Sequence, residues 1–156
     1  MPLRSFNVAG SIAGAVDRDE TRLIPKALAV AAGRVPHVTV NGDGSVRREY
    51  LHVADAADAF VAALTTARVG KQIVVNAGSG EAVPISAVLE VVEAVTGRRV
   101  SVVRGPAQPE PAVLSADLTR ALAVLGWQPT RSRLDRVVAD AWRALGDDAG
   151  GLMSAR

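Results

Sequence analysis

The chain contains no cysteine, which removes disulfides, thiolate metal sites and thiol nucleophiles together. Its two histidines, His37 and His52, cannot by themselves build a metal site. Aromatic residues make up only 3% of the sequence. Proteins that grip nucleic acid on stacking platforms need exposed aromatics in basic grooves, and neither is present. The isoelectric point of about 9.7 points the other way, but the formal charge is only +2, with acids and bases alternating along the chain. Nucleic acid is therefore not expected as a partner. No apolar run reaches the roughly 18 residues of a membrane span. No basic-then-apolar leader is seen, so no membrane association and a cytoplasmic location are expected.

What is present suits a single folded domain. At 156 residues with 49% hydrophobic content, the chain is long enough to bury a core. A short strand is expected over Leu3–Val8, then a small-residue loop over Ser11–Asp19. A helix starts at Thr21 or Arg22, with Pro25 in its first turn and a stop at Gly33. Val38–Val40 reads as a strand, and Asn41-Gly42-Asp43-Gly44 as a hairpin turn leading to a return strand over Arg47–Leu51. An alanine-rich helix follows over Asp55–Ala67, with Asp55 and Asp58 near its positive N-terminal end. Gln72–Asn76 and Val100–Arg104 read as strands. Ile85–Thr96 is a helix, because Ile85, Val88, Leu89, Val92 and Val95 recur at helical spacing before Gly97. A Pro-rich loop spans Gly105–Pro111, and helices over Asp117–Leu125 and Leu134–Leu145 complete the pattern. Residues 1–145 form the expected domain and 146–156 a disordered tail. The alternation of strands and helices argues for an α/β fold, and Trp127 and Trp142 are expected core anchors.

Six segments occur in an order with wider meaning. They are Leu3-Arg4-Ser5-Phe6-Asn7-Val8-Ala9-Gly10, Glu20-Thr21-Arg22-Leu23-Ile24-Pro25, Gly42-Asp43-Gly44, Arg48-Glu49-Tyr50-Leu51-His52-Val53-Ala54-Asp55 with Ala56-Ala57-Asp58-Ala59, Asn76-Ala77-Gly78-Ser79-Gly80, and Leu125-Gly126-Trp127-Gln128-Pro129. Together they resemble the extended short-chain dehydrogenase/reductase (NAD-dependent epimerase/dehydratase) family, closest to its UDP-glucose 4-epimerase branch. The part resembled is the C-terminal, substrate-binding half. The resemblance implies a truncated α/β domain of this type, with a few short strands and about five helices.

Two family features are missing. The dinucleotide fingerprint needs three glycines in register on a strand-to-helix turn. Here Gly10 and Gly14 have no third partner, and Gly78-Ser79-Gly80 is followed by Val83 where a glycine belongs. The family's catalytic tyrosine precedes a lysine by four positions, whereas Tyr50 is followed at that distance by Ala54, and the only lysines are Lys26 and Lys71. No cofactor is therefore expected in this chain, and NAD only if a separate Rossmann half supplies its site.

The resemblance implies a small-molecule ligand, a nucleotide sugar, held by Asn7, Arg22, Leu23 and Arg48. Asn7 offers amide donors to a diphosphate, although a strand-end asparagine also bonds its own turn. Arg48 falls on the arginine of the family's Arg-acid-Tyr signature, and a guanidinium suits bidentate phosphate binding. Arg47 is placed to share that work, and Glu49 to hold either arginine in a surface ion pair. The family's Arg-Arg-x-Gly-Asp stretch reads Pro106-Ala107-Gln108-Pro109-Glu110 here, with Arg104 just ahead, and Asn41 stands where a phenylalanine flanks uracil. A second reading is a cofactor-independent isomerase or cyclase drawing its acid–base groups from His52, Asp43, Glu49, Tyr50 and Glu110. His52 also reads as a helix-start histidine satisfied by backbone. A third is half of a split epimerase, or an inactive relic. The apolar helix over Asp55–Ala67 needs cover, so a homodimer or a complex with another chain is expected.

Overall fold

The computed structural model describes residues 1–68, 70 and 72–151, with side chains described to 146. Short parallel pairs joined by helices organise the chain. β1 (Leu3–Ser5) runs parallel to β8 (Val75–Ala77), with Leu3 opposite Val75 and Ser5 opposite Ala77. The expected strand over Leu3–Val8 is broken at Asn7, whose φ of 29° bends the backbone. β2 (Val8–Ala9) then leaves to pair with β7 (Leu51–His52). α2 (Val53–Thr66) starts directly from β7, lies between β1 and β8 in the chain, and packs against β1.

The expected hairpin at Asn41-Gly42-Asp43-Gly44 does not form. β5 (Val38–Asn41) pairs in parallel with β10 (Val102–Gly105). β6 (Arg47–Glu49) instead lies between β11 (Val113–Leu114), parallel, and β9 (Ala82–Pro84), antiparallel. A type I′ corner needs two adjacent residues at positive φ. Gly42 and Gly44 have it, at 62° and 81°, but Asp43 stands between them outside that region. The Asp43 carboxylate instead accepts from the Ser45 amide at 2.9 Å and hydroxyl at 2.6 Å, so an Asx turn sends β6 away from β5. The real two-residue corner is Ala13-Gly14, with φ of 51° and 79°. It joins β3 (Ser11–Ile12) to β4 (Ala15–Val16) inside the segment expected to be loop. Alanine at positive φ carries no sequence signal.

The fold is α/β with short strands and five helices, as expected. α1 (Leu23–Ala31), α3 (Ile85–Thr96) and α5 (Leu134–Gly151) enclose the larger core, where Leu28, Val88, Val92, Val137 and Val138 are buried. A second cluster of Leu51, Ala56, Ala59, Val75 and Trp127 lies among α2, β8 and α4 (Thr119–Leu125). Trp127 is a buried anchor. Trp142 is half-buried, with the Arg98 guanidinium 5.5 Å from its ring centroid. α5 continues to Gly151, six residues past the boundary expected at Leu145, and 152–156 lie outside the described residues. No helix among the described residues is long and apolar enough to cross a membrane.

Asp55 does more than favour the start of its own helix. Its side chain is buried and accepts from the Thr130 amide at 3.1 Å, the Arg131 amide at 2.8 Å and the Ser132 hydroxyl at 2.6 Å. It thereby ties the first turn of α2 to the segment that leads into α5. Asp58 pairs with Arg131 at 2.6 Å on the same tie.

Candidate functional site

The elbow at Asn7, the start of α1 and strand β6 meet around a cavity of about 490 Å³. Asn7, Arg22, Leu23 and Arg48 all line it, with Asp17 and Tyr50. Leu23, Arg48 and Ile85 also wall a neighbouring chamber of about 150 Å³, whose other side carries Thr39, Asn41, Val46 and Glu110. The two chambers form one cleft, with Arg48 at their shared wall.

Each site residue owes its position to local backbone. Asn7 does not bond its own turn: its amide nitrogen donates to the Glu49 carbonyl at 2.9 Å. That bond pins the elbow to β6 and, among the described residues, leaves the amide oxygen and one N–H unengaged. Arg22 stands immediately before α1, makes no side-chain cap bond, and pairs with Asp17 at 3.2 Å and Asp19 at 3.5 Å, its side chain 58% exposed. Asp17 is a cleft residue that the sequence did not single out, since nothing in its spacing marks it. Arg48 is only 14% exposed. Its Nη1 donates to the carbonyls of Arg47 at 2.7 Å and Pro111 at 2.9 Å, and its Nη2 pairs with Glu110. Arg47 turns outward to the Ala82 carbonyl at 2.6 Å. Burial pushes the Tyr50 phenol up to about 12, opposed by the Arg48 charge, so it is a proton-bearing group at neutral pH. Tyr50 also borders a cavity of about 420 Å³ on its other side, with Ser79, Ser132 and Arg133.

The remaining expected acid–base residues are placed elsewhere. Glu49 makes no surface ion pair. It is fully buried and accepts from the Gly80 amide at 2.7 Å and the Ala116 amide at 2.5 Å, because alternation along β6 puts it on the face opposite Arg48, against the 78–80 turn. His52 is the N-cap of α2: its Nδ1 accepts from the Ala54 amide at 3.0 Å and its Nε2 lies 3.2 Å from Asp140. Since Nδ1 accepts, that network assigns the proton to Nε2. Asp43 sits in its exposed turn, with the Ser45 hydroxyl and amide holding its carboxyl below the usual range. Of the five, only Tyr50 and Glu110 face the cleft.

The described residues do not fit a dinucleotide cradle. The glycines at strand ends are filled by the protein itself: a Cβ on Gly10 would meet His52 at 2.9 Å, and one on Gly78 the Glu49 carboxylate at 2.6 Å. Helices α2 and α3 follow their strands directly, with no glycine turn between. No group of three or more His, Cys, Asp or Glu among the described residues is arranged to hold a metal.

Fold and cleft define an epimerase/dehydratase-type α/β domain. Residues 1–78 match the NAD dependent epimerase/dehydratase family, and the chain belongs to that family. It is similar to the UDP-glucose 4-epimerase of Corynebacterium glutamicum, 38% identical over 93% of this chain and 48% of that protein. The structure of UDP-glucose-4-epimerase from Stenotrophomonas maltophila, with bound NAD and formylated UDP-arabinopyranose, superposes with a TM-score of 0.84 and 31% identity over 96% of this chain and 48% of that one. The Bifidobacterium longum enzyme, in complex with NAD+ and UDP, gives 0.85 and 27% identity with the same coverage. The chain thus spans about half the length of the relatives it matches.

Proposed function

We propose that this chain binds a nucleotide sugar, or a ligand like it, in the cleft at Arg48, and has no autonomous NAD-dependent redox chemistry. The observation that carries the first part is the convergence of Asn7, Arg22, Leu23 and Arg48 on one cavity. A guanidinium backed by protein carbonyls is fixed in orientation, which favours two-pronged contact with a phosphate. The ligands named for the Stenotrophomonas and Bifidobacterium structures, a UDP-sugar and UDP, are of the class that such a cleft suits.

The second part rests on residues. Epimerisation by oxidation requires a group that takes a hydride and returns it, and NAD supplies that chemistry where it is bound. In this chain Tyr50 has no lysine four positions on, and its glycine turns are filled by His52 and Glu49. A complete epimerase would need a dinucleotide-binding unit in addition. One observation favours that split arrangement: β1 and β8 form a two-stranded parallel sheet, whereas parallel sheets normally belong to larger sheets covered on both faces. The cofactor-independent isomerase reading is weaker, since His52, Glu49 and Asp43 hold structural bonds instead of facing the cleft.

Calorimetric titration with UDP, UDP-glucose and dTDP-glucose tests the reading. At least one should bind, and Arg48→Ala should weaken it by about 1.5–3 kcal/mol, the range for a hydrogen bond to a charged group. Unchanged affinity in Arg48→Ala would remove the phosphate from this position. Micromolar affinity for NAD, or turnover of UDP-galactose by the pure chain, would refute the second part.

A further inference from the structure

We propose that Glu110 is a built-in counter-anion for Arg48, displaced by an incoming phosphate, so that ligand binding unclasps the loop between β10 and β11. The proposal rests on the reading that Arg48 receives the ligand's anionic group. Arg48 is not a free cation waiting in the cleft: its hydrogen bonds go to the Arg47 carbonyl, the Pro111 carbonyl and the Glu110 carboxylate. Two of those three partners belong to the 105–111 loop.

That loop is built as a strap. Its ends are fixed by backbone bonds, Gly42 N–H to the Gly105 carbonyl at 3.0 Å and Arg47 N–H to the Ala112 carbonyl at 2.8 Å. Between them stand Pro106, Pro109 and Pro111, which carry no N–H to donate. Among the described residues, the hydrogen bond that ties 106–110 to the rest of the protein is the Glu110 carboxylate to Arg48. Releasing Glu110 therefore frees the middle of the strap while both ends stay attached.

The clasp also sets the affinity. Carboxylate and phosphate use the same guanidinium edge, so an incoming phosphate must break one ion pair to form another, and it meets the Glu110 charge as it approaches. Glu110 lines the smaller chamber and Asn7 the larger, and Arg48 lines both. Exchange of partners at Arg48 thus opens that chamber at the moment the larger one is filled.

The test compares the full chain with Glu110→Ala and Glu110→Gln, using inorganic pyrophosphate and UDP as probes in calorimetry. Removing the resident carboxylate should tighten pyrophosphate binding about fivefold, the scale of a partly exposed ion pair of about 1 kcal/mol, with Glu110→Gln showing the same direction. Backbone 15N order parameters should fall at Ala107, Gln108 and Glu110 in two cases: ligand-free Glu110→Ala, and the pyrophosphate-loaded wild type. If the wild type binds and Glu110→Ala binds pyrophosphate no better, the clasp is overturned while the cleft reading stands. Weaker UDP binding in Glu110→Ala with pyrophosphate unchanged would make Glu110 a ligand contact, which also overturns it. Failure of both probes with every variant overturns the cleft reading and the clasp with it.

Discussion

The two cores of this molecule are finished to different degrees. Around α1, α3 and α5 the apolar faces meet one another, and Leu28, Val88, Val92, Val137 and Val138 are all within 1% of full burial. Around α2, β1 and β8 one face is packed and the other is open. Ala56, Ala59 and Ala63 point inward, while Phe60, Val61 and Leu64 on the outer stripe are 51%, 60% and 78% exposed. The cleft is walled mainly by the closed region, whereas the open region carries the two-stranded parallel sheet of β1 and β8. The first region buries its apolar faces within itself; the second leaves an apolar stripe exposed.

Breaking the closed core should have the largest effect. Leu28 is 1% exposed at the centre of α1, and Leu28→Ala should cost about 3 kcal/mol, the range for a cavity in a packed interior, as a lowered urea midpoint. A loss below about 1 kcal/mol would mean that this region repacks and is no more rigid than the other.

The seam between the regions is next. Asp55→Ala would leave the Thr130 and Arg131 amides and the Ser132 hydroxyl without their acceptor, costing about 2 kcal/mol. Burial raises the Asp55 pKa, but the Ser132, Arg131 and Thr130 donors outweigh it and hold the carboxyl below its ordinary value. A depressed carboxylate contributes stability above its unfolded value and loses it as the pH falls through the folded one. Asp55→Asn should therefore flatten the acid limb of stability below about pH 4. An unchanged acid limb would mean that the tie is not held by charge.

What the sequence revealed differs between the regions for physical reasons. Helices α1 and α3 were readable because spacing and glycine stops are local signals, and each ends within two residues of the expected place. The neighbours of β5 and β6 were not, since pairing across 33 to 66 residues leaves no local mark. In the cleft, Asn7, Arg22, Leu23 and Arg48 were found through resemblance. The inward turn of Glu49 and the cap made by His52 depend on strand register and helix start, which composition does not encode. Glu110 stands where the resembled stretch ends in an acid, but its pairing with Arg48 arises only when the loop folds back onto β6.

The smallest expected change in intrinsic stability is at the outer face of α2, and there the informative quantity is assembly. Phe60 and Val61 lie on one exposed apolar stripe with Leu64, and contiguous exposed apolar surface marks interaction sites. Pairing two copies about a two-fold axis is the commonest way to cover such a stripe, so a homodimer, or a complex with another chain, is expected through this face. In the dimeric case light scattering at micromolar concentration gives twice the monomer mass, and the urea midpoint rises with protein concentration. Phe60→Asp should then yield a folded monomer whose own stability shifts by about 0.5 kcal/mol or less. A wild-type monomer with a concentration-independent midpoint would exclude self-pairing, and a Phe60→Asp variant equally soluble and folded beside it would show that the stripe needs no cover.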